Sequence, residues 1–300
     1  MQEHVARQLR IITSPYHNGL YNIDRGSGPT GLLEISRGLE GVDGLGRTAA
    51  VEVVAAGDPG QPEAARVIEL DRRLANHVRA AVADGAFPLV LAGDCNSCLV
   101  TVAGVGARGL GIVWFDAHPD FDTPEESLSG SLDAMGVAML CGRGWCALRE
   151  TIRGLTPIDE ATILLVAVRD FEGDQLDRVR ASRMRLLEGN SFTRGDLRLA
   201  LDELRRRVDR IYVHVDLDSL DPAEGIANQY ASPVGLTTDR LLEAVADVHD
   251  RFEVVAAAVT AYHPASDRDD RMAASAARII IRLAELAQGY GSPRAARRAS

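Results

Sequence analysis

Gly111-Ile112-Val113-Trp114-Phe115-Asp116-Ala117-His118-Pro119-Asp120 is an unbroken apolar run that ends in three metal-capable side chains. An apolar stretch this short and this continuous reads as a strand covered on both faces, which is the signature of a parallel sheet with helices on either side. Phe87 to Ala92, with its LVLA core, and Thr162 to Val168, with TILLVAV, have the same character. Leu9 to Thr13, Ala49 to Ala55, Ile211 to Asp216 and Glu253 to Val259 complete the candidate strands. Between them lie amphipathic segments such as Val67, Leu70, Leu74, Val78 and Ala81, whose three- and four-residue spacing marks one buried helical face. The alternation predicts a single α/β domain over residues 1–290, a three-layer α/β/α sandwich with a doubly wound, mostly parallel sheet. Residues 291–300 are small and basic, and are expected to be flexible or engaged in subunit contacts.

Composition narrows the partners. The chain has 300 residues and a formal net charge of -10, which argues against nucleic acid and anionic membranes, since both require clustered Lys and Arg. A small-molecule substrate is the better expectation. The opening MQEHVARQLRIITSPYH lacks an apolar signal core, and no apolar run approaches the ~20 residues of a membrane span, so a cytoplasmic location is expected. The four cysteines, Cys95, Cys98, Cys141 and Cys146, are too few for a disulfide scaffold. Cys95 and Cys98 fall at a helix start and Cys141 at a helix end, which does not suit a structural zinc site. Gly104-x-Gly106-x-x-Gly109 follows a predicted helix rather than a strand, so it does not read as a dinucleotide fingerprint.

Ligands of open α/β sheets gather beyond the carboxyl ends of the strands, and three of those ends are loaded. After the first, Asp116, His118 and Asp120 alternate, so an extended backbone would send all three to one side as an oxygen, nitrogen, oxygen set suited to a divalent transition metal. A polar turn would also use Asp and Pro, but three such groups beside a buried strand need a compensating partner. The second is Tyr212-Val213-His214-Val215-Asp216-Leu217-Asp218-Ser219-Leu220-Asp221-Pro222. Asp216 and Asp218 share a face, and close carboxylates repel unless a cation lies between them. His214 has the same parity and suits either orienting a ligand or a satisfied place in the core. The third, Leu91-Ala92-Gly93-Asp94-Cys95-Asn96-Ser97, turns tightly from strand to helix and brings Cys95 toward the same crevice.

Taken in order, Gly93-Asp94-Cys95, Asp116-Ala-His118-Pro-Asp120-Phe-Asp122-Thr123-Pro124 and Asp216-Leu-Asp218-Ser-Leu-Asp221-Pro222 resemble the motifs of the ureohydrolase superfamily, which includes arginase, agmatinase and formimidoylglutamase. Gly26-Ser27-Gly28-Pro29 is similar to that family's glycine-rich opening. The resemblance implies an arginase-like fold, a homo-oligomer (trimer or hexamer) and two divalent metal ions, normally manganese. Asp116 and His118 would hold one ion, Asp120 and Cys95 the other, and Asp216 and Asp218 both. It also implies that a hydroxide bridging the metals attacks a guanidine or amidine carbon, and that an amine is expelled.

The departures bear on metal and substrate. Cys95 stands where the family has histidine, and a soft thiolate could move the preference toward zinc or iron. Asp133 replaces a histidine thought to shuttle protons in arginases; a buried carboxylic acid can do the same, or can bind a cationic substrate. Asp120 is the other candidate catalytic acid. Ala261 replaces the glutamate that grips the guanidinium, and Asp122 replaces an asparagine that holds an amino-acid carboxylate. With Ser129 and Glu172 these are the expected substrate-facing residues, and Asp122, Asp133 and Glu172 together predict an acidic mouth for an amine-bearing tail. The expected reaction is hydrolysis of a linear C–N bond in a guanidino or amidino compound other than plain L-arginine. A metal-dependent amide hydrolase and a non-catalytic relative are the alternatives.

Overall fold

The computed structural model describes residues 7–38, 49–52 and 60–289. Its strands are β1 (Leu9–Ser14), β2 (Tyr16–His17), β3 (Leu20–Tyr21), β4 (Ala49–Glu52), β5 (Phe87–Ala92), β6 (Leu110–Phe115), β7 (Ile163–Val168), β8 (Arg185–Glu188), β9 (Arg210–Asp216) and β10 (Glu253–Thr260). The helices are α1 (Gly28–Gly38), α2 (Glu63–Ala83), α3 (Ser97–Val105), α4 (Gly136–Leu140), α5 (Cys146–Arg149), α6 (Gln175–Ala181), α7 (Arg194–Arg205), α8 (Thr238–Arg251) and α9 (Arg271–Ala287). Eight strands pair in the order β4-β1-β5-β10-β9-β6-β7-β8, every pair parallel. β2 and β3 form a separate antiparallel ribbon.

The period-two alternation of each strand divides the interior into two layers. Val113, Phe115, Val213 and Val215 face α1, α7, α8 and α9. Ile112, Trp114, Leu165 and Tyr212 face α2, α3 and α4. The doubly wound α/β/α architecture expected from the sequence is therefore present. α2 buries Val67, Leu70, Leu74, Val78 and Ala81 as its spacing predicts.

The differences have physical reasons. β8 escapes the apolar criterion because it is an edge strand of mixed burial, Arg185-Leu186-Leu187-Glu188, and the β2–β3 ribbon is too short to carry a pattern. The part of the Ala49 to Ala55 candidate strand beyond Glu52, and the basic tail, lie outside the described residues. The four cysteines are free thiols, and the glycine run 104–109 spans the end of α3 and the loop after it.

Register positions the site. Thr260 of β10 lies opposite Ala92 of β5 and Asp216 of β9, and Phe115 of β6 lies opposite Val215. The carboxyl ends of the four central strands thus end level, so the residues that follow them meet in one crevice.

Candidate metal centre

Asp116, His118 and Asp218 offer ligand atoms that all lie within 4.8 Å of one another. Local hydrogen bonds fix each group. Asp116 accepts from the Trp114 indole N–H at 3.0 Å and from the His118 amide at 2.8 Å. Asp218 accepts from the Ala117 amide at 3.2 Å and the Asn228 side-chain amide at 3.3 Å. His118 Nδ1 stands 3.4 Å from Asp116 and 3.5 Å from Asp218. The chain after β6 is not extended, contrary to the alternation argument. It bends at Ala117 and His118 and reaches Asp120 in the left-handed region, φ 46°, so the donors converge through a turn that Asp tolerates better than most residues.

Cys95 brings the third strand end to this cluster. Its thiol donates to Asp216 Oδ2 at 2.9 Å and lies 3.3 Å from Thr260 Oγ1. His214 is packed behind: its ring stacks on Trp114 with centroids 3.6 Å apart, Nδ1 meets the Tyr212 hydroxyl at 2.7 Å and Nε2 meets Thr260 Oγ1 at 3.2 Å. Cys95, Asp116 and His214 also have potential ligand atoms within 4.8 Å, but both ring nitrogens of His214 are engaged, and burial lowers its pKa to about 3. It is a neutral core histidine that orients Thr260 behind the Cys95 thiol.

The electrostatics call for a cation. Burial first, then neighbouring carboxylates, raise the pKa values of Asp116, Asp120, Asp216 and the Cys95 thiol. For His118, burial opposes the charged ring, yet Asp218 and Asp116 outweigh it and raise its pKa to about 10. Several buried acids that cannot ionise together, beside an imidazole and a thiol, form a donor set that fits divalent transition metals.

Apart from Asp116, which is not in the lining, these groups lie on a cavity of about 300 Å³ lined by Cys95, His118, Asp120, Asp133, Asp216 and Asp218, with Ser129, Glu172, Asp170 and Tyr230 also on its wall. That volume suits one small molecule. Two expected contacts are corrected. Asp122 is absent from the lining because it is buried and held by Arg178 at 2.5 Å and Gln175 at 2.8 Å. Its charge is matched by an arginine 56 positions away, which motif spacing cannot reveal. Ala261 is also absent from the lining and fully buried; only its carbonyl acts nearby, accepting from Asn228 at 2.9 Å. Glu172 and Asp133 line the cavity as expected, and Asp170 joins them in place of Asp122.

Arg25 was not foreseen. Its guanidinium lines the cavity, 2.8 Å from Asp133 and 3.8 Å from Asp94, while the other Asp133 oxygen accepts from the Cys95 amide at 2.7 Å. Burial raises the Asp133 pKa, and Arg25 pulls it back. Backbone contact brings Arg25 here: a Cβ on Gly93 would lie 2.2 Å from the Tyr16 carbonyl, and one on Gly26 would lie 2.8 Å from the His17 nitrogen. An arginine directly before a close-approach glycine in an acid-rich chain was the available signal. Arg169, also unforeseen, donates to the carbonyls of Asp218 at 2.8 Å, Leu220 at 3.2 Å and Ser232 at 2.5 Å, and so clamps the turn after β9.

The comparisons agree with this architecture. The arginase of Bacillus caldovelox is 33% identical over 165 residues, 53% of this chain and 55% of that protein, so the match spans about half the relative's length. The solved structure of that arginase superposes with a TM-score of 0.80 at 25% identity, covering 93% of this chain and 98% of it. Formimidoylglutamase from Bacillus subtilis shares the fold, with a TM-score of 0.75 at 17% identity over 97% of this chain and 90% of that one. The arginase family model matches residues 7–285, and the chain belongs to the arginase family.

Proposed function

We propose that the protein is a dinuclear metal-dependent hydrolase that cleaves a linear C–N bond of a guanidino or amidino compound with a cationic rather than an amino-acid tail. The observation that carries this reading is the convergence of Cys95, His118, Asp120, Asp216 and Asp218 on one cavity of about 300 Å³. Asp116 and His118 would hold one ion, Asp120 and Cys95 the other, with Asp216 and Asp218 shared. Bound divalent ions, manganese, zinc or iron, would lower the pKa of water and polarise the electrophilic carbon.

The chain's own residues divide the remaining tasks. Asp170 and Glu172 at the mouth attract a cationic tail and repel a carboxylate, and Ser129 offers a neutral hydroxyl on the same wall. Asp133 has both oxygens engaged, by Arg25 and by the Cys95 amide, so it fixes the Cys95 turn instead of shuttling a proton. Asp120, on the cavity wall, would pass on the proton that the departing amine receives. A second reading, hydrolysis of an amide on the same centre, draws support from Ala261, which provides no carboxylate for a guanidinium.

A urea- and amine-release screen with manganese, zinc or iron tests the reading. Agmatine, guanidinobutyrate, guanidinobutyramide, arginine, N-hydroxyarginine and formimidoyl compounds would be compared, and turnover is expected for those with a cationic or neutral tail. Preference for arginine over all of them would refute the role given to the acidic mouth.

A further inference from the structure

Beside the turn that carries Cys95 lies a separate small space of about 20 Å³ whose lining shares no residue with the catalytic cavity. It is large enough for one water-sized occupant. Asp71 of α2 faces it, together with Asn96 and Ser97 at the start of α3. These three side chains are 3%, 2% and 4% exposed. Asp71 Oδ2, both polar side-chain atoms of Asn96 and Ser97 Oγ have no hydrogen-bond partner. Native interiors rarely leave so many polar atoms unmatched around one space.

The charge balance identifies the occupant. Asp94 also lines the space, but its oxygens are taken by His17 Nδ1 at 2.6 Å and the Asn18 amide at 2.7 Å. Asp71 is left with an unengaged oxygen, and burial and then Asp94 both work against its charge. We infer that this cavity binds one small monovalent cation of sodium's size, with Asp71 as its charged ligand and Asn96 Oδ1 and Ser97 Oγ as neutral oxygen ligands. Hard cations take oxygen ligands of this kind. A single available carboxylate matches a single positive charge, and a space of about 20 Å³ has no room for an ion that keeps its full hydration shell. Because Asn96 and Ser97 directly follow Cys95, the ion ties α2 to the backbone that positions the thiol.

The test is thermal unfolding of the chelator-treated full chain in sodium chloride and in choline chloride at equal ionic strength. The midpoint is expected to rise saturably with sodium. Asp71→Asn should lose the response, and Ser97→Ala should keep it with a half-saturating concentration shifted severalfold upward. Equal midpoints in the two salts would overturn the inference in favour of a protonated Asp71 and a buried water. An undiminished sodium response in Asp71→Asn would overturn it too, because that response would belong to the acids of the catalytic cavity.

Discussion

The Arg25 guanidinium and the Asp133 carboxylate form a buried ion pair at 2.8 Å on the wall of the cavity that also holds Cys95 and Asp216. A positive charge belonging to the chain is therefore fixed next to the proposed metal ligands. Asp133 and Arg25 are 10% and 7% exposed at their side chains, so neither can fall back on water if the other is removed. Arg25→Met is expected to cost about 3 kcal/mol of unfolding free energy, the usual penalty for stranding a buried charge. Arg25→Met combined with Asp133→Asn should recover most of it in urea titrations. A double variant no more stable than the single one would show that the pair is not coupled.

Asp218 contacts His118, the Ala117 amide and Asn228 at once. Asp218→Ala is expected to reduce the bound divalent ions from about two per chain to one or none, read by mass spectrometry of protein purified without chelator. Activity should disappear with them. A variant that stays fully active would be incompatible with the proposed centre.

Arg169 holds the turn after β9 through carbonyl oxygens on both sides of it. Arg169→Met removes the donors and leaves those carbonyls unmatched, so a loss of ~2–4 kcal/mol is expected. Metal affinity should fall by about 10–100-fold, as for other groups that orient a ligand. Calorimetry and metal titration of one preparation separate the two effects, and unchanged affinity would limit Arg169 to stability.

His249, in the last turn of α8, is buried, and burial followed by Arg282 and Arg7 lowers its pKa from 6.5 to about 3. Between those values the unfolded chain binds a proton that the folded chain does not. Stability therefore rises with pH across that window and is lost as pH falls through it, with a slope of up to ~1.4 kcal/mol per pH unit from this group. His249→Leu should flatten the dependence by one proton's worth in denaturant titrations at stepped pH. The same slope in variant and parent would assign the acid sensitivity elsewhere.

The strand ends were legible because a metal-capable residue at the end of a buried apolar run is costly without a partner, and Asp116 and Asp216 each occupy such a position, whereas Cys95 lies beyond a Gly-Asp turn after β5. The spacing argument was less secure. Asp116, His118 and Asp120 do reach the site region, but through a turn and not an extended chain. The roles given to Asp122 and Ala261 were not legible, since they depend on what distant side chains do. Arg178 neutralises Asp122 from α6, and Ala261 is covered while its carbonyl is taken by Asn228. Arg25 was hidden for the same reason: it reaches the cavity only because distant backbones pack together at glycines.

Gly93 also has a meaning for variation. Since a Cβ there would run into the Tyr16 carbonyl at 2.2 Å and the Gly26 Cα at 2.9 Å, the hinge before Cys95 admits no rebuilding. Change at this corner of the site is confined to exchanging the donor atom presented by position 95 on an unaltered frame. Under the proposed metal centre, a single codon there would act as a dial for metal preference while leaving the architecture untouched.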